Sequence, residues 1–294
     1  MLSFKNGKPF VIIRGGSCNN KIIRIHDGTE NDNEDYQIGM KKLKHLDPMH
    51  LQMLEDAIDN EDPSYLSGKI LQMYNKVKNN GDLGKHFHDD NGICSIIPTD
   101  DPNQRDSIYI TGPSGSGKSY FVSNFISEYK KRYPKREVIL FSAKDEDPAL
   151  DKYKPGRIKL TDEMAEDPID LKELENTLVV FDDIDQIGNK KIQDAVWNLR
   201  DRILEVGRSL QISICTVAHQ ITNYKASRIC LNEADYVVFF PQSGARFQIN
   251  YFLKNYAGMD KEQIDGIKKL KSRAVILKKT YPMCLVYQNG CYII

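Results

Sequence analysis

The chain has 294 residues, enough for one large α/β domain or for a mid-sized domain with an appendage. Hydrophobic residues make up 40% and charged residues 28%, and 41 basic and 41 acidic residues cancel to a formal net charge of zero. This balance excludes a globally basic or acidic protein, so any contact with nucleic acid has to come from a local patch. The six cysteines lie far apart without metal-ligand spacing, which is typical of thiols in a reducing compartment.

No secretory or membrane-spanning segment is predicted. The longest apolar run near the start, Phe10–Ile13, has only four residues and is followed at once by Arg14. A helix that spans a bilayer needs ~18 consecutive apolar residues. We therefore expect a protein without a membrane span.

Residues 1–104 are predicted to form a small α+β accessory region that carries no chemical motif. The predicted elements are strands at Phe10–Arg14 and Lys21–Ile25 and helices at Met49–Ile58 and about 65–78. A polar stretch at Asp27–Asp35 separates the strands from the helices. We interpret His86–Asp90 as a solvated loop, because no further ligands are visible to complete a metal site. The cluster Asp100–Asn103 marks the expected boundary.

Residues 105–294 alternate between strand and helix, which predicts a three-layer α/β/α fold with a mostly parallel sheet. The predicted strands are Ser107–Thr111, Glu137–Ser142, Thr177–Phe181, Gln211–Val217 and Tyr236–Pro241, and helices are expected at 119–132, 189–206 and 246–257. These strands are short, apolar and rich in β-branched residues, as strands covered by helices on both faces should be. Arg273–Lys278 and Met283–Gln288 are predicted to form an antiparallel hairpin at the sheet edge.

A phosphate-binding loop (P-loop) is predicted directly after the first of these strands. Its residues, Gly112, Pro113, Ser114, Gly115, Ser116, Gly117, Lys118 and Ser119, fit G-x-x-x-x-G-K-[ST] in full. The glycines let successive N–H groups converge on a phosphate, and the following helix adds the partial positive charge of its N-terminus. Lys118 is expected to reach the β- and γ-phosphates and Ser119 to ligate Mg²⁺. An ordinary Gly/Ser turn would explain the glycines, but not Lys118 and Ser119 at this offset.

A pair of acids follows the apolar run Leu178–Phe181. We expect Asp182 to hold Mg²⁺ through water and Asp183 to polarise the attacking water as general base. Asp185 is interpreted as a surface or helix-cap residue. A GTPase is disfavoured because residues 189–192 lack the aspartate of an N-K-x-D element. A small-molecule kinase is disfavoured because the sequence shows no Arg-rich loop that could close over the phosphates. The predicted cofactors are therefore ATP and Mg²⁺.

A polar residue is expected at the tip of the predicted strand Gln211–Val217, between the P-loop and the acid pair. Gln220 is the first candidate to sense the γ-phosphate and to position water, and His219 is the second. Both side chains can form the hydrogen bonds that this task needs.

Arg208 is the candidate for an arginine that acts on the ATP of a neighbouring subunit. The helix 189–206 is expected to end at Gly207, so that Arg208 lies on a loop beside the sensor strand. An arginine supplied in trans stabilises transition-state charge. Arg200 and Arg202 are alternates, and a plain surface arginine near a helix end explains any one of the three equally well.

With these elements in this order, the chain resembles the FtsK–HerA superfamily of DNA-pumping ATPases, and most closely the poxvirus-type genome-packaging ATPases of large nucleocytoplasmic DNA viruses. The matching stretches are Gly112–Ser119, Leu178–Asp183, Val206–Ser209 and Ser213–Gln220. The resemblance implies a homo-oligomeric ring, a hexamer or pentamer, that hydrolyses ATP to drive double-stranded DNA of any sequence into a capsid. It supports the roles given above to Lys118, Ser119, Asp182, Asp183, Arg208 and Gln220. Asp183 departs from the family, in which glutamate is common.

The resemblance also implies a location in the host cytoplasm or viral factory, or in the virion. It leaves residues 1–104 unmatched, and we interpret them as a cap or as an adaptor to a capsid or nuclease. Two alternatives to a DNA motor stay open: a phosphotransferase acting on a small metabolite, and an ATP-binding switch that moves nothing.

Two local basic patches could contact DNA phosphates. The C-terminal basic patch comprises Lys268, Lys269, Lys271, Arg273, Lys278 and Lys279, and the second basic patch comprises Lys130, Lys131, Arg132, Lys135 and Arg136. Solvated helix ends explain both patches equally well. No base-reading motif is present, which suits a motor that ignores sequence.

Overall fold

Two β-sheets organise the part of the chain that this computed structural model describes, namely residues 1–26, 48–60, 62–68, 70–71, 74 and 82–294. The polar stretch Asp27–Asp35 and most of the helix predicted at about 65–78 lie outside the described residues. Within the described ranges, no helix combines the length and apolar character needed to cross a bilayer.

The first sheet is built from the N-terminal region. In chain order the elements are β1 (Leu2–Ser3), β2 (Lys8–Gly15), β3 (Ile22–Ile25), α1 (Pro48–Asp59), β4 (Asp82–Gly84), β5 (His86–His88) and β6 (Gly92–Ile96). Five of these strands pair antiparallel in the order β4-β1-β3-β2-β6. The predicted strand pair is confirmed, with Val11 opposite Ile23, and α1 confirms the predicted first helix.

Strand β5 corrects one prediction. The segment His86–Asp90, expected to be a solvated loop, begins with a strand that pairs with the far edge of the second sheet. Successive side chains of a strand point to opposite faces, so that His86 and His88 are exposed while Phe87 is buried, and a polar-apolar-polar triplet forms a strand here. Among the described residues, no group of three or more His, Cys, Asp or Glu is arranged to hold a metal ion.

The second sheet and its helices occupy the rest of the chain. The elements are β7 (Ser107–Thr111), α2 (Lys118–Arg132), β8 (Val138–Ser142), α3 (Pro148–Asp151), β9 (Gly156–Ile158), α4 (Asp162–Glu166), β10 (Leu178–Asp182), α5 (Lys190–Val206), β11 (Ser213–Ala218), α6 (Tyr224–Glu233), β12 (Tyr236–Phe239), α7 (Arg246–Asn255), α8 (Lys261–Lys269), β13 (Val275–Lys278), β14 (Cys284–Tyr287) and β15 (Gly290–Ile293). The predicted strands and helices are all present, with ends shifted by up to two residues.

The strand order is β5-β15-β14-β13-β12-β7-β11-β10-β8-β9, parallel from β12 to β9 and antiparallel from β12 to β5. This confirms the predicted α/β class with a mostly parallel sheet. The predicted hairpin β13–β14 forms, but β15 and β5 continue the sheet beyond it, so it does not lie at the edge. Strand β15 was missed because a tight turn reverses the chain at Gln288–Asn289.

The order of the parallel strands positions the site. Strand β11 lies between β7 and β10, with Val217 opposite Ile110 and Thr216 opposite Phe181. Strands β7, β8, β10 and β11 are buried along their whole length. Because parallel strands end at the same edge, the loops after these four strands meet there.

The small sheet packs on the large one. A single apolar cluster joins Phe10 and Ile13 of β2 to Phe125 of α2 and Val238 of β12. Together with β5, this shared core ties the N-terminal residues to the second sheet. The division of the chain at residue 104 stays a prediction about domains.

Candidate active site

A cleft of about 250 Å³ opens where β7, β8, β10 and β11 end. Its lining residues are Ser114, Gly115, Gly117, Lys118, Ser119, Tyr120, Lys144, Asp182, Asp183 and His219. Five of the eight predicted P-loop residues and both predicted acids therefore line one cavity. Crevices outside the carboxyl ends of parallel strands are where α/β proteins commonly bind ligands.

A larger cleft, of about 300 Å³, lies against α2 and the small sheet. Its lining residues are Ile12, Ile22, Ile97, Pro98, Glu128, Lys131 and Arg132. Glu128 is paired with Lys131 at 2.7 Å, and neither a phosphate-binding loop nor a pair of acids is present in it. The chemistry therefore favours the smaller cleft as the functional site.

The P-loop backbone is shaped by two of its glycines. Gly117 has φ +114° at the N-cap of α2, a left-handed conformation that a side chain would strain. At Gly112, a Cβ atom would lie 2.7 Å from the Phe240 ring and 2.8 Å from Ser116 Oγ. The first N–H groups of α2 have no intrahelical acceptor, and no described side chain caps them. Free N–H groups at a helix N-terminus are suited to bind an anion.

Lys118 is folded into this loop. Its Nζ donates to the Gly112 and Pro113 carbonyls at 2.8 and 3.1 Å, and the residue is only 8% exposed. Burial lowers the pKa of Lys118, although the charges of Asp183 and Asp182 act in the opposite direction. A partly desolvated ammonium attracts a phosphate more strongly than a solvated one.

Both predicted acids are buried at the end of β10, with Asp182 1% and Asp183 7% exposed. Sequence reasoning missed their cationic partner. Lys144, on the loop after β8, places Nζ 2.5 Å from Asp183 Oδ2 and 3.4 Å from Asp182 Oδ2. Burial, and next the charge of Asp183, raise the pKa of Asp182. Burial acts to lower the pKa of Lys144, but the Asp183 hydrogen bond and the two carboxylate charges outweigh it and raise that pKa.

Asp183 is held in a specific orientation. Its φ of +52° is uncommon for a residue other than glycine and costs on the order of 1 kcal/mol, as is frequent at functional sites. His219 Nε2 lies 3.0 Å from the second carboxylate oxygen, Asp183 Oδ1. Lys144 and His219 therefore approach one oxygen each, but the His219 approach lacks hydrogen-bond geometry, and Asp183 Oδ1 has no hydrogen-bond partner among the described residues.

The tip of β11 brings His219 into the cleft rather than Gln220. Residue 219 lines the cavity, whereas Gln220 is exposed and does not line it. The Gln220 carbonyl accepts a hydrogen bond from the Tyr109 hydroxyl at 2.8 Å, which fixes the backbone here. The predicted position of the strand tip between P-loop and acids is confirmed, and the second candidate side chain occupies it.

Arg208 lies at the end of the sheet where the parallel strands begin, opposite to the end that carries the cleft. It is exposed on a 3-10 turn, Gly207–Leu210, that precedes β11. The six residues of β11 separate this turn from the cleft by roughly 20 Å along the strand. Arg105 donates to the Ile203 and Leu204 carbonyls at the end of α5 and so fixes the start of the turn. Arg208 therefore does not reach the cleft of its own chain.

The two alternate arginines differ in accessibility. Arg200 is only 2% exposed, its guanidinium lies 2.7 Å from Asp201 Oδ1 and it packs over the Trp197 ring. Because its guanidinium is enclosed within its own chain, Arg200 is less suited than the exposed Arg208 to contact the ATP of another subunit. Arg202 is exposed.

Asp185 lies on the 3-10 turn Ile184–Gln186 after the acid pair. It is half-buried rather than a plain surface residue, and burial raises its pKa. The turn itself is tied to α5, where Gln193 Nε2 donates to the Asp185 carbonyl at 3.1 Å. This contact stabilises the backbone that carries Asp183.

Comparison with known proteins adds four likenesses. The RNA helicase family matches residues 108–203. A protein named "Uncharacterized protein V3" of Sputnik virophage is 40% identical over 197 residues, which cover 66% of this chain and 80% of that protein. The genome packaging NTPase B204 from Sulfolobus turreted icosahedral virus 2, solved with AMPPCP, is 16% identical over 65% of this chain and 98% of its own, with a TM-score of 0.43. The pCW3 conjugation coupling protein TcpA is 12% identical, over 68% of this chain and 63% of its own, with a TM-score of 0.44.

A genome packaging NTPase, the kind of protein that the sequence resembles, is among these similar structures. The virophage relative is much closer in sequence. This chain, a P-loop NTPase in fold, belongs to the same family as protein V3 of Sputnik virophage.

Proposed function

We propose that this protein is an ATPase of the FtsK–HerA type that translocates double-stranded DNA, as the motor that packages a viral genome. The observation that carries the proposal is the meeting of Lys118, the Asp182–Asp183 pair and His219 in one cleft beside the P-loop. An ammonium, two buried carboxylates and a polar strand tip are the groups that ATP hydrolysis requires. The sequence order of the motifs supports assignment to the DNA-pumping branch.

Each residue of the cleft has its own role in binding or hydrolysing the triphosphate. The P-loop N–H groups and Lys118 bind the phosphates, and burial of Lys118 strengthens its attraction for them. Asp183 accepts a proton from the attacking water as general base. His219, whose Nε2 lies 3.0 Å from Asp183 Oδ1, lies beside that carboxylate and is placed to report on the γ-phosphate. Gln220 stays the alternative sensor, through a side-chain rotation towards the cleft.

The chain also provides a site that fits Mg²⁺. Ser119 and Asp182 supply a hydroxyl and a carboxylate, which are oxygen ligands of the kind that Mg²⁺ prefers. Ser116 Oγ is buried without a hydrogen-bond partner among the described residues, as expected of a loop that closes around further polar atoms. Bound Mg²⁺ would neutralise phosphate charge. Lys144 offsets one of the two carboxylate charges within the chain.

Replacement of Lys118 by alanine is expected to weaken Mg-ATP binding by roughly 30-fold or more, because removal of a buried charged partner costs about 2–5 kcal/mol. Isothermal titration with Mg-ATP measures the dissociation constant. Lys190→Ala is the matched control, since this lysine is exposed at the start of α5 and pairs with Asp194. Equal affinity of Lys118→Ala and wild type would contradict the assignment of the cradle.

The basic patches contribute less free charge than their sequence suggests. Within the C-terminal basic patch, Lys278 and Lys279 donate to carbonyls of residues 280–282 and 231–232. Lys268 pairs with Asp265 at 3.3 Å. Lys269 and Lys271 are exposed and are the members that we propose for phosphate contact.

The second basic patch is also partly engaged. Lys130 donates to the Arg136 carbonyl at 3.2 Å, Lys131 pairs with Glu128, and Arg136 donates to the Pro102 carbonyl at 2.9 Å. Arg132, at the end of α2, is exposed. The proposal that DNA is the polymer moved therefore rests on the motif order and family resemblance more than on the patches.

Long duplex DNA is expected to stimulate ATP hydrolysis severalfold, with stimulation that falls as salt increases because protein–phosphate contacts release counterions. Steady-state ADP release is measured with and without DNA of unrelated sequences, which should stimulate equally. A small-molecule phosphotransferase would instead form ADP only with an acceptor, and a switch would hydrolyse ATP slowly under all conditions. Absence of stimulation at every salt concentration would refute DNA translocation.

The proposal includes an assembly and a setting. Arg208 does not reach the cleft of its own chain, so it can act only on the cleft of another subunit. A homo-oligomeric ring would bring Arg208 of one subunit to the cleft of the next. Location in the host cytoplasm or viral factory follows from the proposed packaging role. The small N-terminal sheet is the surface that we propose for a capsid or nuclease partner.

A further inference from the structure

Arg273 contacts the P-loop from the other end of the chain. It lies just before β13 and donates from Nε to the Ser116 carbonyl at 2.7 Å and from Nη2 to the Gly115 carbonyl at 2.8 Å. The planar guanidinium thus binds two successive carbonyls of the loop. A sequence reading assigns this residue to the C-terminal basic patch, yet its donors are directed at protein backbone.

The segment that carries Arg273 is anchored on both sides. The neighbouring Ser272 is buried, and its hydroxyl donates to the Ala274 carbonyl at 2.5 Å and accepts from the Gln288 N–H at 2.9 Å. Gln288 belongs to the turn between β14 and β15. Gln242 holds the end of α8 through bonds to the carbonyls of residues 268 and 270. Arg273 therefore projects from a backbone with little freedom.

These contacts determine how the loop presents its amides. In a planar trans peptide the C=O and N–H bonds point in opposite directions. A donor that holds the Ser116 carbonyl therefore directs the Gly117 N–H away from Arg273. In the same way, the bond from Arg273 to the Gly115 carbonyl orients the N–H of Ser116. This N–H donates to the Pro113 carbonyl at 3.2 Å and closes the loop. Gly117 has φ +114°, one of many conformations open to glycine, so contacts outside the residue have to select it.

We infer that Arg273 is a positioning residue of the phosphate cradle, which holds the loop in the shape that receives a nucleoside triphosphate and ties it to strands β13–β15. This inference rests on the proposed nucleotide-binding function of the loop. A lysine does not replace the arginine, because its single ammonium lacks the fixed fork that spans two adjacent carbonyls.

The test compares Arg273→Ala and Arg273→Lys with wild type. Titration calorimetry should show about 10- to 100-fold weaker binding of both Mg-ATP and Mg-ADP to the alanine variant, since hydrogen bonds to charged groups contribute on the order of 1.5–3 kcal/mol. Both nucleotides are affected because the β-phosphate is common to them. Arg273→Lys should keep the charge but recover only part of the affinity. Arg228→Ala, at an exposed position of α6, should bind as wild type does.

Hydrogen exchange without nucleotide gives an independent readout. The amides of residues 115–119 should exchange faster in Arg273→Ala, while amides of the buried strand β11 keep their protection. Unchanged exchange in the loop, or unchanged affinity, would overturn the inference. Full recovery in Arg273→Lys would also overturn it, because charge alone would then suffice. Failure of wild-type protein to bind Mg-ATP would instead refute the proposed function, and the exchange measurement would still decide the role of Arg273.

Discussion

Arg208→Ala is expected to lower ATP turnover by about 10³- to 10⁵-fold, the range for an arginine that stabilises phosphoryl-transfer charge. The expected loss concerns the rate and not the affinity for Mg-ATP, because Arg208 lies at the opposite edge of the sheet from the cleft of its own chain. Single-turnover hydrolysis and titration calorimetry separate the two quantities. Affinity within twofold of wild type would be consistent with action on a neighbouring subunit.

Mixed assemblies test the direction of this action. Lys118→Ala subunits lack a working cradle but supply Arg208, and Arg208→Ala subunits have the cradle but lack the arginine. Mixing the two should restore part of the hydrolysis, because some interfaces then combine an intact cleft with an intact arginine. Each variant alone should stay inactive at every protein concentration.

The control for this experiment is Arg228→Ala, which removes an exposed arginine from α6 and should hydrolyse ATP normally. Mixtures without any recovery would count against Arg208, and the exposed Arg202 would then be tested in the same way. Recovery that appears only above a threshold concentration would report the assembly of the ring.

Asp183→Asn is expected to reduce ATP turnover by about 10²- to 10⁴-fold, the contribution of a positioned general base. The amide keeps the size of the carboxylate but does not accept the proton of the attacking water. Binding of Mg-ATP should persist, because the P-loop, Lys118 and Asp182 are unchanged. Quenched-flow measurement of phosphate release at saturating ATP gives the rate.

Two comparisons make this result specific. Asp194→Asn alters the same functional group on the exposed side of α5 and should leave turnover unchanged. Thermal unfolding of Asp183→Asn should stay cooperative, because Lys144 retains Asp182 as a partner within 3.4 Å. Turnover of Asp183→Asn at the wild-type rate would exclude Asp183 as the base and favour a switch that hydrolyses ATP by a different route.

The phosphate cradle and the acid pair could be predicted from the sequence because both depend on short-range order. The glycines, Lys118 and Ser119 all lie within the short loop Gly112–Ser119, so their spacing can be recognised directly in the sequence. The apolar run before Asp182 indicates a buried strand and thereby the edge at which the acid lies. The fold class followed from the same periodicity.

Contacts between distant segments could not be predicted in this way. Lys144 is an ordinary lysine after a strand until β8 is seen to pair with β10, which places its ammonium beside Asp183. Its position could have been suspected from the rule that parallel strands end at a common edge. Arg200 is the reverse case, a residue that the sequence offers as a candidate but that the fold encloses. A helical pattern does not reveal how deeply its guanidinium is buried.

By itself, therefore, the sequence determined a P-loop followed by a helix, an acid pair at a strand end, and a strand tip between them. Only the tertiary structure decided that His219 rather than Gln220 lines the cleft, that Arg208 lies at the far edge, and that Arg273 contacts the P-loop. The physical reason is that local motifs are set by backbone geometry over a few residues. Contacts such as Arg273 with Ser116 depend instead on strand order and burial, which the whole chain establishes together.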